Sequence, residues 1–388
     1  MIRLDRMLGR ANRKLTWSQR LLIAALAASV LAGGAVGYAA STPNLDAVLL
    51  NNAPCTVTLS GQPLDGNCSG GFVETTATPA PTPTATAAPT PTPAPTPAPT
   101  PTPLSGVTPL YASTSFWNQP IGSGPALDPN SPAMVQAALA GYAGSANFTN
   151  TLAWGRALVY SHNSDPLYNI GCTLYGCGTA VSFHIPLGAH PETASDGHLV
   201  VINLDTWQEL DMWIASFNGS TWTAGSRYLT DAHGWGAECP LGQHCGSAVA
   251  AGFAAFGGVI RPEEIQQGHI DHALFIAIQL TRSGYIACPA TNTDGQTAGT
   301  TAIPEGARIQ LDPAFNVDAQ PWPQWEKVVA HAMQTYGVYI GDTGGSMALM
   351  AQGNQNGGLA WSAVGVPDGP SLGNLPWGQF RVLQFQQC

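Results

Sequence analysis

Residues 196–229, DGHLVVINLDTWQELDMWIASFNGSTWTAGSRYL, decide the fold class. Residues 199–203, a mostly β-branched apolar run ending in Asn203, read as a strand. Asp205-Thr206 is a turn pair, and residues 207–215 form a second strand. Asn218-Gly219 is a hairpin signal, because this pair accepts the positive φ of a tight turn. Residues 221–228 follow as a third strand. Side chains alternate along a strand, so Gln208, Leu210, Met212 and Ile214 share one face. Trp207, Glu209, Asp211 and Trp213 share the other. Leu210, Met212 and Ile214 belong in a core, which turns two carboxylates and two indoles to the opposite side.

Working outward, further strands are expected at residues 273–280, 284–288, 307–311 and 337–340. Helices are expected at residues 132–141 and 321–336, and a short one from Arg261-Pro262-Glu263-Glu264. Pro near a helix start and Gly after its end support these assignments. Many short strands with Gly-rich turns make residues 105–388 a mainly β globular module, a β-sandwich or jelly roll with a few short helices. Composition agrees: 44 Gly, 32 Pro and only 9% charged residues exclude a helical bundle. The module carries no GxGxxG, P-loop, HExxH or GxSxG pattern.

The N-terminal part is organised differently. Residues 1–20 hold Arg3, Arg6, Arg10, Arg13, Lys14 and Arg20, and residues 21–40 carry no charge. About 20 apolar residues cross a hydrocarbon core of ~30 Å. Basic residues ahead of such a run place the N-terminus in the cytoplasm and everything after residue 40 outside. The alternative is a cleaved signal ending near Ala39-Ala40-Ser41. Residues 41–74 are a short extracellular segment. Residues 75–104 are Pro/Thr-rich, and proline keeps them extended at ~3.1 Å per residue, a reach on the order of 90 Å. The expected location is the cell membrane, single-pass, with the module outside the cell. The remainder of the chain is acidic, with a formal net charge of −10 for the whole sequence, so nucleic acid is excluded as a partner.

All eight cysteines lie beyond the apolar run. Cys55 with Cys68, Cys172 with Cys177, and Cys239 with Cys245 are close in sequence, which suits local disulfides in an oxidising compartment. Cys288 and Cys388 remain to pair over a long range. A zinc site at Cys239, His244 and Cys245 with His233 is the rival reading, but the spacing fits no finger or ribbon. No metal and no cofactor are expected.

Three sets of residues can carry chemistry. Glu209 and Asp211 between Trp207 and Trp213 combine paired carboxylates, suited to glycosidic acid/base work, with indoles that stack on sugar rings. His198 after Asp196-Gly197, and His272 after Asp271, are proton carriers at strand ends. Asp342-Thr343-Gly344 is the tripeptide of aspartic proteases. Those enzymes need two such aspartates sharing a proton, and this chain has one copy. Asp342 therefore reads as an acid pointing into a cleft or as an acceptor of backbone N–H bonds. Arg261 is one of the few cations available to bind an acidic sugar.

Glu209-Leu210-Asp211-Met212-Trp213 resembles the start of the E-x-D-x-(x)-E signature of laminarinase- and lichenase-type glycoside hydrolases, which are jelly rolls. The acid/base Glu of that signature would fall at Trp213 or Ile214, so its mechanism does not transfer. A broader resemblance is to a group of secreted bacterial β-rich proteins. It rests on Ser115-Phe116-Trp117-Asn118, Asp196-Gly197-His198, Glu209-x-Asp211-x-Trp213, Arg261-Pro262-Glu263-Glu264-Ile265, Ile270-Asp271-His272-Ala273-Leu274 and Asp342-Thr343-Gly344-Gly345. That resemblance implies no particular activity.

The expected function is a membrane-tethered, extracellular carbohydrate-active module, a glycosidase or polysaccharide lyase acting on envelope or environmental glycan. Glu209, Asp211, His198, His272 and Asp342 are the expected catalytic residues, with Trp207, Trp213 and Arg261 binding substrate. A non-catalytic module that binds glycan or protein through its Trp face is the alternative, and an aspartic-type protease is the third.

Overall fold

In a computed structural model of the chain, the described residues are 47–49, 56–58, 107, 110–149, 151–175, 180–240, 242–243 and 247–388. Residues 1–40, the Pro/Thr-rich linker, and Cys55, Cys68, Cys177 and Cys245 lie outside them. The chain divides into two units, Met1–Pro93 and Ala94–Cys388. In the first, β1 (Ala47–Leu49) and β2 (Thr56–Thr58) pair antiparallel. No helix among the described residues is long and apolar enough to cross a membrane.

The second unit is mainly β. Its first strands are β3 (Asn147–Phe148), β4 (Ala157–Ser161), β5 (Leu167–Cys172), β6 (Val181–His184) and β7 (Leu199–Asn203). Next come β8 (Gln208–Trp213), β9 (Ser216–Phe217), β10 (Trp222–Ala224) and β11 (Ser226–Asp231). The last are β12 (Leu274–Ile278), β13 (Arg308–Leu311), β14 (Val338–Thr343), β15 (Ala348–Leu349) and β16 (Phe380–Val382). They form three sheets, ordered β6-β5-β10-β9, β11-β8-β7-β4 and β16-β13-β14-β12-β15-β3. All three are mixed: β4 and β7, β5 and β10, β12 and β14, and β3 and β15 run parallel.

The cores show how these sheets stack. Ile170, Val181, Phe183 and Trp222 of the first sheet meet Leu199, Val201, Leu210 and Met212 of the second. On its other face the second sheet buries Leu158, Val200 and Ile202 against Phe275 and Tyr339 of the third, with Trp117 and Phe253 between. The far face of the third sheet packs Ile276, Ile309 and Ile340 under Trp325, Val329 and Met333 of α2 (Gln324–Thr335). The second sheet therefore lies between two others. That explains why β7 is buried at all five positions, the mark of a strand covered on both faces.

This layering corrects the expected open face on β8. Leu210 and Met212 are buried as expected, but Glu209 and Asp211 are 0% exposed. Register puts Asp211 opposite Val200 and Glu209 opposite Ile202, so the two carboxylates point into the second core with those apolar neighbours. Trp207 (φ 56°) sits in the turn before β8, and Trp213 ends the strand. At ~3.3 Å per residue they stand about 20 Å apart, too far to make one platform.

Of the other expectations, several hold and the strand at residues 284–288 does not. The hairpin at Asn218-Gly219 is present, with Trp222 opposite Phe217. The expected third strand breaks at Gly225 into β10 and β11, which belong to different sheets. Residues 284–288 form no strand and contribute one isolated bridge, Ala287 to Gln387. Cys288 and Cys388 are joined by the expected long-range disulfide, with their Cα atoms 5.1 Å apart. Cys172 and Cys239 each take part in a disulfide as well, not with one another. α1 (Pro262–Gln267) begins where the RPEE stretch placed it and stops at Gly268, φ 88°.

Candidate functional site

The polar residues of the module gather in three places. In the first, Glu209 and Asp211 project from β8 beneath Tyr111. The Tyr111 hydroxyl donates to Glu209 Oε2 at 3.0 Å, the Phe256 amide to Glu209 Oε1 at 3.2 Å, and the Ala255 amide to Asp211 Oδ2 at 2.9 Å. Burial raises both carboxyls, Asp211 well above the usual range, and the charges of Glu209 and Glu238 push Asp211 further. Glu238 accepts from the Ala248 amide at 3.0 Å and lines an open cleft of about 610 Å³ with Leu229, Asp231 and the exposed Trp235.

The second place is a buried ion cluster. Glu264 Oε1 accepts from Arg261 at 2.7 Å and faces His272 Nε2 at 2.9 Å. Glu264 Oε2 accepts from the Arg261 amide at 2.8 Å, which caps α1. His272 Nδ1 faces the Ala273 carbonyl at 2.8 Å. Both partners of the ring are acceptors, so the ring donates from both nitrogens. Burial alone would raise Glu264, but His272 and Arg261 outweigh it and hold the carboxyl at about 2.

The third place brings together His198 and Asp342, with residues that the sequence reading did not select. β4 and β7 run parallel with Ala157 beside Leu199, so Arg156 and His198 stand side by side where these strands begin. Glu192 and Asp196 lie on the loop that leads into His198. From the third sheet comes Asp342. A bulge shifts the β12–β14 register between Ile276 and Ala277, so that Ile276 faces Ile340 and Ala277 faces Asp342. The extra residue, Gly341, moves Asp342 off the Ile340 side and toward the second sheet. A Cβ at Gly341 would drive into the Phe275 ring. Gly341→Ala is expected to cost about 1–3 kcal/mol by overpacking, measured by urea unfolding, and to displace Asp342.

One carboxylate oxygen each from Asp294, Glu305 and Asp342 lies within 4.8 Å of the others. The Thr343 hydroxyl donates to Asp294 Oδ1 at 2.5 Å and pairs with Thr281 Oγ1 at 2.5 Å. The Asp294 amide donates to Glu305 Oε2 at 3.2 Å. Asp294 is exposed, Asp342 half-buried and Glu305 buried. Burial, with Asp294 as the next cause, pushes Asp342 up to about 7 against the pull of Arg156. Burial also lifts Glu305 to about 9, helped by Asp294 and Asp342. Glu192 rises to about 8 by burial, again opposed by Arg156. His198 is held well below its usual range by burial and by Arg156. Arg156 is itself 2% exposed, its Nε has no hydrogen-bond partner, and it forms no ion pair among the described residues.

The eight expected site residues are thus distributed over all three places and beyond. Glu209 and Asp211 are together in the first, His272 and Arg261 in the second, and His198 and Asp342 in the third. Trp207 stacks on His233 at 4.1 Å and Trp213 on Tyr175 at 5.7 Å, each away from the other. Arg156, Glu192, Asp196, Asp294 and Glu305 were missed. Only Glu192 and Asp196 carried a signal, as acids six and two residues before His198. No family model, curated protein or solved structure matches the chain.

Proposed function

We propose that the module is an extracellular glycoside hydrolase, held to the cell membrane by residues 21–40 and spaced from it by the Pro/Thr-rich linker, acting on envelope or environmental glycan. The observation that carries this reading is the pair Asp342 and Asp294. A carboxyl pushed up to about 7 keeps a proton at neutral pH and can give it to a glycosidic oxygen. Asp294, exposed and fixed by the Thr343 hydroxyl, serves as the partner carboxylate. Oxygen atoms within 4.8 Å favour the short spacing of retaining enzymes over the ~6.5–9.5 Å of inverting ones. Trp154, 45% exposed on the segment entering Arg156, offers a stacking surface. The amides of Asn354 and Gln355 hold the neighbouring loop through Thr151 and Leu152.

The three stacked sheets support a sandwich, while parallel pairing within each sheet speaks against a jelly roll. A second reading is non-catalytic glycan binding, favoured by the cleft between Trp235 and Glu238.

The test is incubation of the full-length protein with a polysaccharide panel, scoring new reducing ends. Asp342→Asn and Asp294→Asn should each lower turnover at least about 100-fold with unfolding unchanged. Unsaturated products would move the assignment to a lyase. Wild-type binding without cleavage would select the second reading, and full turnover by Asp342→Asn would remove Asp342 from the chemistry.

A further inference from the structure

We propose that Glu192, Asp196 and His198 form a binding site for one divalent transition-metal cation. The site goes beyond the hydrolase reading, because it uses residues that the proposed acid pair does not. A chain segment of seven residues supplies all three side chains, and backbone bonds fix it. The Glu192 amide donates to the His198 carbonyl at 2.9 Å, and the Gly197 amide to the Ala194 carbonyl at 3.2 Å. The Ile214 amide donates to the Asp196 carbonyl at 2.7 Å, and the Ala194 amide to the Ala153 carbonyl at 3.0 Å. The ligand positions are therefore set before any ion arrives.

One ligand atom from each of the three residues lies within 4.8 Å of the other two. They form no ion pair with one another. Ligand atoms held ~2.0–2.2 Å from one ion in a tetrahedral or trigonal arrangement stand about 3.3–3.8 Å apart, a spacing that this bound admits. The independent observation is unsatisfied burial. Glu192 and His198 are each 4% exposed, yet Glu192 Oε2 and His198 Nδ1 have no hydrogen-bond partner. Buried polar atoms are paired as a rule, and a cation here pairs them.

The donor set names the class of ion. One imidazole with two carboxylates suits Zn²⁺ or Mn²⁺ better than Mg²⁺ or Ca²⁺, which prefer oxygen alone. The charged groups facing the site are Arg156, which opposes a cation, and Asp342, which offsets it. The cluster of Asp294, Glu305 and Asp342 carries no such proposal, because none of its atoms is buried without a partner.

The experiment titrates chelator-stripped full-length protein with Zn²⁺ by calorimetry at pH 7.5, with no free cysteine among the described residues to compete. Wild type should bind one equivalent. His198→Ala and Asp196→Asn should each weaken binding about tenfold or more, and Asp294→Asn should leave it within a few-fold of wild type. Co²⁺ in place of Zn²⁺ should give a visible absorption band that His198→Ala removes. If His198→Ala fails to fold, the half-exposed, isosteric Asp196→Asn decides. No saturable binding, equal binding in both ligand variants, or loss confined to Asp294→Asn overturns the site. Because the readout is binding, failure here leaves the turnover result for Asp342 standing, and the reverse also holds.

Discussion

Glu264→Ala should destabilise the module by about 3–5 kcal/mol, the cost of removing one partner from a buried charge cluster. Glu264 is 1% exposed, and Arg261 and His272 are each 7% exposed. Without the carboxylate, a guanidinium and a doubly donating imidazole keep their positions but lose the anion between them. The first turn of α1 also loses the acceptor for the Arg261 amide. Glu264→Gln keeps the shape and one acceptor and should fall between Ala and wild type. Glu263→Ala, one residue away and outside the cluster, should change stability by no more than about 0.5 kcal/mol. Urea unfolding monitored by tryptophan fluorescence measures all three. A loss below about 1 kcal/mol for Glu264→Ala would mean that the cluster is solvated and does not hold α1 against the core.

The same cluster shows where sequence reading succeeds. The RPEE stretch announces a helix start through local chemistry: proline in the first turn and a glutamate that reaches back to the N-cap amide. β7 was legible because four consecutive apolar residues, Leu199 to Ile202, suit a strand, and its antiparallel pairing with β8 followed from a two-residue turn. What local chemistry does not carry is the number of layers. Alternation correctly separated Leu210 and Met212 from Glu209 and Asp211, but it cannot say whether the second face meets water or another sheet. The uninterrupted apolar run of β7 held that information, since a strand with one wet face would alternate. The Asp342 site was half legible. His198 and Asp342 were chosen for residue type, and their meeting depends on a bulge at Gly341 and on parallel pairing of β4 with β7. Both are long-range features with no periodic signature. Arg156, Asp294 and Glu305 sit outside any alternating pattern and were silent for that reason.

Stability should be greatest near pH 4.5–5 and fall as the solution becomes alkaline. Glu192 titrates at about 8 and Glu305 at about 9 in the folded chain, against an ordinary value of 4.5, and Asp342 at about 7 against 3.8. Between those values the folded state binds protons that the unfolded state has released, so unfolding gains with every rise in pH. The loss begins as pH passes the unfolded values and is complete once it passes about 9. One pKa unit is worth about 1.4 kcal/mol, and the two most buried groups alone give a change on the order of 5–10 kcal/mol between pH 5 and pH 9. That is comparable to the whole stability of a typical domain, about 5–15 kcal/mol. His198 works in the opposite sense. Its folded value is depressed, so its contribution is lost as pH falls through the ordinary imidazole range, but it is one proton against three. Below pH 4.5 Glu264 takes over. Its folded value of about 2 means that its contribution is present above 4.5 and is lost on the way down to 2. The melting temperature should therefore drop on the order of 10 °C from pH 5 to pH 9. Glu305→Gln, a neutral isostere of the protonated side chain, should leave stability at pH 5 nearly unchanged and flatten the fall above it. A melting temperature that is constant or rises from pH 5 to pH 8 would show that water or a counter-charge reaches these carboxyls, and the proton that Asp342 is proposed to donate would then be absent at neutral pH.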